Sequence, residues 1–419
     1  MSDPSGDGEK MGFNATWSMA VGGMVGGGIF SVLGVVIETA GVYAWLSFVL
    51  AGLVAFLTGY AYVRLAVKFD EGGGAFTFLR HERHPEFAGG LSWVLIVGYV
   101  LTLAVYAFTF GHYLSHVLEL GGLTSRIAAV SIVAVLVGVN LLGVGEASIE
   151  IFTRVQLIVL VGLGIWGLVE FAPAQLRYDD AAPGGPLGAL VGAATIFMAY
   201  EGFQLLTYDQ RSTAAAAPCS AILAVIGAHV LVALASASLV GAGTIVEQKE
   251  IALAVAGEEA AGLAGKIVVS VAAVFSTASA INATLFATAR LARRVAKDGE
   301  LPAFFGSTNS KNIPTGAVIA LGATGGALAA LGNLDQLVEA ASLTFLFTFA
   351  TVNVLAARAD HGWRAVVHWV GVALAGASTL VLGVRLAENQ PASLIGLGVV
   401  VAAAAFLRPW LLKRAEAEG

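Results

Sequence analysis

One acidic residue of this chain lies in a long stretch that otherwise carries no charge. Glu201 follows an uncharged run from Ala181 to Tyr200, and an apolar stretch continues beyond it to Tyr208. If this stretch crosses a bilayer, an ionised carboxylate at its centre costs about 2.5–3.5 kcal/mol and needs a wet cavity, a cation or a bound proton. Glu201 is therefore a candidate for ligand binding or proton transfer. The structural alternative is a protonated glutamate that hydrogen-bonds to a neighbouring helix.

Glycines dominate a second stretch, near the N-terminus. Five of the seven residues in Gly22–Gly28 are glycines. Each interior glycine weakens a helix by about 1 kcal/mol relative to alanine, so three in succession favour local unwinding. The spacings Gly22/Gly26 and Gly23/Gly27 fit close helix packing equally well. The run therefore predicts either a broken helix or a close helix contact.

The composition places these residues in a membrane. The chain has 419 residues, of which 58% are hydrophobic and 12% are charged, whereas soluble proteins carry about 25% charged residues. The mean hydropathy is +0.84. The net charge of −6 and the lack of a basic, aromatic-interleaved stripe argue against a nucleic-acid partner. A single cysteine, Cys219, excludes a disulfide scaffold.

Twelve apolar segments are long enough to cross a hydrocarbon core of ~30 Å, which takes about 20 helical residues. They are residues 13–37, 41–66, 89–118, 125–145, 152–172, 186–210, 216–244, 265–290, 314–332, 336–357, 365–385 and 391–411. Because strand-type alternation is absent, the sequence predicts an all-α integral membrane fold with 12 transmembrane helices. Seventeen of the 22 Lys and Arg residues fall on one side, which predicts a multi-pass protein of the cell membrane with both termini cytoplasmic, residues 1–12 forming the N-terminal tail.

The two unusual stretches lie at matching depth in their segments. Gly26 is about 20 Å along a helix that starts near Phe13, and Glu201 is about 22 Å along one that starts near Pro186. Broken helices at corresponding positions of two inverted halves point to a transporter's binding site. Unwound backbone there offers N–H groups to an anion and carbonyls to a cation, which fits a zwitterion. The predicted parts of this single membrane domain are residues 13–172, 186–357 and 364–412.

Four motifs on these segments resemble those of the amino acid–polyamine–organocation superfamily of secondary transporters. In chain order they are Gly26–Phe30, Glu71–Phe78, Phe197–Phe203 and Ser276–Ala283, the last followed by Asp298–Pro302. The resemblance covers nearly the whole chain. It implies a five-plus-five inverted repeat of the leucine-transporter type, with the first and sixth helices broken around a central amino acid site.

The resemblance also implies the substrate-binding residues, to which the position of Glu201 adds one more. Together they are Met24, Gly26, Gly27, Gly28, Ala199, Tyr200, Glu201 and Phe203. By resemblance, the glycine backbone would bind the substrate carboxylate, carbonyls of the first and sixth segments would meet its amino group, and Phe203 would gate the site. Tyr99 and Tyr106 of the third segment share a helical face and could line it.

Candidates for coupling follow from the same resemblance. Ser276 and Thr277 match hydroxyls that help to bind a cation in sodium-coupled relatives. Gln156 matches the position of a lysine that replaces the sodium ion in some proton-coupled relatives. Since that lysine is absent and Glu201 supplies a carboxylate instead, both protons and sodium ions stay open as the coupling ion.

Patterns typical of enzymes and metal sites are missing from the sequence. It contains no Gly-x-Ser-x-Gly motif, Walker loop or HExxH motif, so we predict neither an enzyme nor an ATP-driven pump. His112 and His116 have the spacing of a zinc-binding pair, but we interpret them as interfacial histidines. We predict no metal site and no cofactor beyond a coupling proton or sodium ion.

These observations together predict an amino acid permease that works by alternating access as a symporter, antiporter or exchanger. Glu201 favours cationic amino acids or a protonatable coupling group. The alternatives are a polyamine or organocation transporter, a passive channel, and an amino acid sensor on a transporter scaffold. The expected partners are an amino acid and the lipid bilayer, and the oligomeric state stays open.

Overall fold

The chain folds into packed helices. A computed structural model describes residues 13–69, 74–81, 85–143, 149–169, 185–205, 216–399, 401–403 and 406, and every regular element in them is helical. The α-helices are α1 (Phe13–Ala40), α2 (Ala44–Phe69), α3 (Gly74–His81), α4 (Pro85–Val117), α5 (Gly122–Leu142), α6 (Ile149–Val169), α7 (Gly185–Thr195), α8 (Ala216–Val240), α9 (Ala242–Glu247), α10 (Ala252–Lys297), α11 (Thr315–Leu331), α12 (Leu334–Ala359), α13 (Trp363–Asn389) and α14 (Pro391–Ala403).

The lengths of these helices support a membrane protein. Within the described residues, seven stretches are long and apolar enough to cross a bilayer, with α1 and α2 counted together as one stretch. Shorter apolar helices cover Val155–Val169, Pro186–Thr195, Thr315–Leu331 and Pro391–Ala403. The all-helical membrane character is confirmed, while twelve crossings and the inverted repeat stay predictions. The predicted tail, residues 1–12, and residues 71–73 of the second motif lie outside the described residues.

Surface composition agrees with a surrounding bilayer. Large apolar side chains are exposed along α5, α6 and α13, for example Leu123 (74%), Ile158 (71%) and Leu380 (72%). Such side chains would be unfavourable in water and are suited to contact with acyl chains. By contrast, α4 is packed against α5, α10 and α12, and it carries the buried residues Tyr99 and Tyr106 to the interior.

Residues 245–264, which lie between two predicted apolar segments, form regular structure rather than an open loop. They contain the end of α9, the 3-10 turn Lys249–Ile251 and the first part of α10, which is kinked at Ala261 and Gly262. Gly262 has a φ of +61°, a value that suits glycine. Leu253 and Ala254 are fully buried, so this connection packs onto the helices as a cap.

A charged pair joins α2 to the turn between α12 and α13. Arg64 donates from Nε to Asp360 Oδ2 at 3.0 Å and from Nη2 to Oδ1 at 2.8 Å. His368 Nε2 lies 3.2 Å from the same carboxylate, and its ring stacks on Tyr60. The hydrogen bonds from Arg64 are the main reason that the pKa of Asp360 falls to about 2. A cleft of about 330 Å³ beside the pair gives solvent access to it.

Asp360→Asn is expected to destabilise the protein at neutral pH by about 1–3 kcal/mol, since charge-assisted hydrogen bonds contribute about this much. The folded pKa of Asp360 is depressed, so its contribution is present above the unfolded value of about 3.9 and is lost as pH falls toward about 2. Thermal unfolding in detergent from pH 7 to pH 2 measures this. If the stability of Asp360→Asn falls with pH in the same way as that of the wild type, the Asp360 carboxylate is not the cause of this pH dependence.

Candidate functional site

The sixth predicted segment is broken at the position expected from its sequence. Its first helix, α7, ends at Thr195 and a 3-10 turn covers Phe197–Tyr200. Glu201 is extended, with φ of −75° and ψ of 143°, and Gly202 has a φ of +134°. A second 3-10 turn begins at Phe203. Because only glycine adopts such a φ readily, Gly202 sets the place where the chain changes direction.

The break predicted in the first segment is wrong. The helix α1 is continuous from Phe13 to Ala40, so the N–H groups of Gly26–Gly28 lie within its hydrogen-bond ladder. The glycines serve close packing instead: a Cβ at Gly27 would overlap with the ring of Tyr106, and one at Gly28 would lie 2.8 Å from the carbonyl oxygen of Ala199. Contacts of this kind offset the low helix propensity of glycine.

Glu201 lies in a buried network of neutral hydrogen-bonding groups. Gln204 Nε2 donates to Glu201 Oε1 at 3.0 Å and to the hydroxyl oxygen of Tyr99 at 3.2 Å. Gln204 Oε1 in turn accepts a hydrogen bond from the N–H of Gly202 at 3.0 Å. Glu201 is only 1% exposed, and Gln204 and Tyr99 are fully buried. The side chain of Gln204 therefore bridges the carboxylate, the turn and α4.

The helix α12 supplies partners for backbone groups that the break leaves outside an α-helix. Ser342 Oγ accepts a hydrogen bond from the N–H of Met198 at 3.0 Å and donates to the carbonyl oxygen of Thr195 at 2.7 Å. A membrane interior offers no water to satisfy such groups, so protein side chains must do so. Ser342 was not among the residues predicted from sequence, because no local pattern marks a serine whose partners lie 144 and 147 positions away.

Aromatic side chains pack on the other side of the break. The ring of Phe203 lies 5.9 Å from that of Tyr62 and 5.5 Å from that of Phe349. The hydroxyl of Tyr200 donates to the carbonyl oxygen of Phe48 at 2.7 Å. The ring of Phe203 therefore packs against aromatic side chains of α2 and α12, and its role as a gate stays a prediction.

The predicted coupling residues fall into two groups. Ser276 Oγ donates to Gln156 Oε1, so these two predicted residues of α10 and α6 are brought together. Gly26 lies beside them, since a Cβ there would be 3.4 Å from the carbonyl oxygen of Ser276. Thr277 instead donates to the carbonyl oxygen of Ala273 in its own helix at 2.7 Å.

The central residues are enclosed in this conformation. Glu201, Phe203, Tyr106 and Met24 are each at most 1% exposed, and Met24 lies next to Gly202 across the contact between α1 and the break. Glu201 is therefore closed off from solvent in this conformation. The arrangement is a buried cluster of one carboxylate, backbone outside an α-helix and aromatic side chains.

Comparisons with known proteins agree with this description. The sequence profile of the amino acid permease family matches residues 11–402. An uncharacterised protein of Methanocaldococcus jannaschii is 33% identical over 69% of this chain and 68% of that protein. The inner membrane transport protein YbaT of Escherichia coli is 29% identical over 82% of each chain. A solved manganese transporter of Eremococcus coleocola superposes with a TM-score of 0.62 at 13% identity, over 96% of this chain and 94% of that chain.

A multi-pass helical fold with a buried carboxylate in a broken helix defines the class as a membrane transporter. Within that class, the chain belongs to the amino acid permease family. The resemblance found in its motifs is thereby confirmed, and both the Escherichia coli protein and the solved structure are named as transporters. The solved neighbour is named as a manganese transporter, so the shared fold alone does not identify the substrate of this chain.

Proposed function

We propose that this chain is a secondary active transporter that moves amino acids across the cytoplasmic membrane by alternating access. The observation that carries the proposal is Glu201, a carboxylate buried at the break in the sixth segment and bonded to the neutral amide of Gln204. Membership of the amino acid permease family supports an amino acid as the substrate.

The proposed role of Glu201 is to meet positive charge that arrives from outside the protein. An isolated ionised carboxylate is very costly to bury, so Glu201 requires a proton or a cation when it is enclosed. An amino group or a cationic side chain of the substrate would provide that partner, with carbonyls near Ala199 and Tyr200 as further acceptors. The carboxylate of the substrate would bind N–H groups of Gly26–Gly28 in a conformation in which α1 is locally unwound.

For coupling, we propose that Glu201 carries a proton and that the Ser276–Gln156 pair holds α10 and α6 together beside Gly26. Gln156 is neutral, so it cannot replace a cation as a lysine would. Sodium coupling through Ser276 and Thr277 is the alternative, although both hydroxyls donate to protein oxygens in this conformation.

The proposal includes a topology. It has twelve crossings with cytoplasmic termini, two inverted repeats of five helices, and the first, second, sixth and seventh segments rocking against the others. A polyamine or another organic cation is the second substrate candidate, because the carboxylate of Glu201 would bind an amine without needing a carboxylate on the ligand.

Uptake into proteoliposomes tests the proposed function. Purified protein is supplied with a mixed pool of labelled amino acids, and pH and sodium gradients are imposed separately. We expect accumulation under one gradient and saturable counterflow, with competition by amino acids rather than by amines. No movement of amino acids under either gradient would refute the proposal, and single-channel conductance would replace it with a channel.

A further inference from the structure

Five charged side chains form a cluster near the N-terminal end of α12. The Arg64–Asp360 pair lies at the opposite end of this helix. Lys249 Nζ donates to Glu38 Oε2 and to Asp335 Oδ2, both at 2.8 Å. Arg385 Nε donates to Glu339 Oε1, also at 2.8 Å. We call these five residues the end cluster. They connect four parts of the chain, namely α1, the 3-10 turn of the cap, α12 and α13.

The end cluster has more negative than positive charge. Three carboxylates face two cationic groups, which leaves a formal charge of −1. Two carboxylate oxygens, Asp335 Oδ1 and Glu339 Oε2, are buried and have no hydrogen-bond partner among the residues that the structure describes. Glu339 is only 1% exposed, and a buried carboxylate oxygen without a donor is energetically costly. The cluster is therefore short of one group that donates hydrogen bonds and carries positive charge.

The two unpartnered oxygens belong to neighbouring side chains. Asp335 and Glu339 are four residues apart in α12, so they lie on the same face of the helix one turn apart. Each has its other oxygen bound by a cation of the protein. The side chain of Asp335 is 31% exposed, whereas that of Glu339 and both unpartnered oxygens are buried, so a ligand would enter from the side of Asp335 after the cluster opens.

The same face of α12 continues to the broken segment. Spacings of three and four residues place Ser342, Phe345 and Phe349 in line with Asp335 and Glu339. Ser342 bonds to the broken segment, and the ring of Phe345 lies 5.3 Å from that of Tyr99. Glu339 and Ser342 differ by about 4.5 Å of helix rise. Glu339 is therefore about one helical turn from Ser342, the residue that bonds to the broken segment.

We propose that Asp335 and Glu339 form a second binding site, which takes the protonated amino group of a substrate before it reaches Glu201. An ammonium group has three donors and a single positive charge, so it matches two free acceptors and the missing charge. No group of three metal-ligating side chains occurs among the described residues, which argues against a metal ion. In the topology predicted from the sequence, with twelve crossings and cytoplasmic termini, Lys249 and Arg385 lie on the outer side, so the site would receive external substrate. The inference rests on the proposed function.

Binding of methylammonium to the purified protein tests the site without requiring transport. Titration calorimetry is carried out on wild type, Glu339→Gln, Asp335→Asn and Glu201→Gln. We expect Glu201→Gln to keep binding at the acidic pair, and Glu339→Gln and Asp335→Asn to weaken it about tenfold, the loss expected for one hydrogen bond to a charged group. Glu247→Gln is the matched control, because Glu247 is an exposed acidic residue of the same cap.

Transport then connects this site to uptake. In proteoliposomes, Glu339→Gln and Asp335→Asn are expected to raise the KM for lysine about tenfold with little change in kcat, since they act before the central site. Glu339→Gln keeps a side-chain oxygen that can accept the hydrogen bond from Arg385. Size-exclusion profiles identify any misfolded variant. Asp335→Asn provides the second reading should Glu339→Gln fail to fold.

The outcomes separate this inference from the proposed function. Methylammonium binding that is weakened about tenfold in Glu339→Gln but kept in Glu201→Gln supports the second site even in a protein that moves no amino acid. Binding that is unchanged in both Glu339→Gln and Asp335→Asn overturns it. If sodium ions bind at the acidic pair and methylammonium does not, the occupant is a sodium ion. If protons are released and neither ion binds, the occupant is a shared proton. Either result also overturns the inference.

Discussion

Glu201→Gln is expected to lower uptake of cationic amino acids about 10–100-fold and to remove the response of uptake to a pH gradient. The substitution keeps an oxygen that can accept from Gln204 Nε2, so the buried network survives. What it removes is the charge. A hydrogen bond to a charged group contributes about 1.5–3 kcal/mol, and about 1.4 kcal/mol corresponds to a factor of ten.

Initial rates of lysine uptake into proteoliposomes, with the external pH varied, measure this effect. Glu388→Gln is the control, since it removes one carboxylate near the end of α13, outside the central network. The same comparison with a neutral amino acid separates two roles. If Glu201 binds the side chain of a cationic substrate, only lysine uptake falls, and if it carries the coupling proton or binds the amino group common to all amino acids, both rates fall.

Transport with unchanged rate and pH response in Glu201→Gln would remove this residue from the mechanism. The protonated structural glutamate, the alternative drawn from the sequence, would then be the better description. A variant that fails to elute as a folded protein decides neither way, so Tyr99→Phe accompanies it. Loss of that hydroxyl takes one acceptor from Gln204 and is expected to reduce uptake less than loss of the charge.

The sequence allowed Glu201 to be identified because the signal is local. In a chain with few charges, a carboxylate in the middle of an apolar segment stands out, and Gly202 beside it marks the turn. The break in the sixth segment follows from these neighbours alone. Tyr99 of α4 was a candidate because it shares a helical face with Tyr106, but Ser342 could not be predicted, because it reaches the break from α12 and no local pattern marks it.

The error in the first segment has a similar physical origin. Helix propensity describes what Gly26–Gly28 would do in isolation, where unwinding is favourable. In the folded chain, the ring of Tyr106 and the backbone at Ala199 occupy the space that side chains would fill. Those contacts hold α1 in one helix, and no local pattern distinguishes that outcome from unwinding.

The carboxylate partners of Lys249 and Arg385 could not be predicted from the sequence either. The Lys and Arg bias treats Lys249 and Arg385 only as markers of the outer side, whereas the structure gives each a carboxylate partner. Lys249 and Glu38 are 211 positions apart, and their contact depends on how the cap folds over α1. The excess carboxylate that motivates a second site becomes visible only after these pairs are assigned.

Gly202→Ala is expected to cause a large loss of stability. The φ of +134° is rarely adopted by residues with a side chain, and such strain costs about 1–3 kcal/mol. A Cβ would also lie 2.6 Å from the carbonyl carbon of Gly23, and overpacking of this kind costs about 1–3 kcal/mol more. The sum is a large part of a typical stability of about 5–15 kcal/mol.

Thermal unfolding in detergent, together with the yield of monodisperse protein, measures this prediction. Gly227→Ala is the matched control: Gly227 lies within α8, and a Cβ there would meet no atom within 4 Å. This control is expected to be neutral or to stabilise the helix by up to about 1 kcal/mol. If both alanine variants unfold at the wild-type temperature, Gly202 does not require its positive φ, and the contact between α1 and the broken segment is looser than described. A loss confined to Gly202→Ala establishes that the positive φ of Gly202 and its close approach to Gly23 together stabilise the fold, since the two substitutions add the same methyl group.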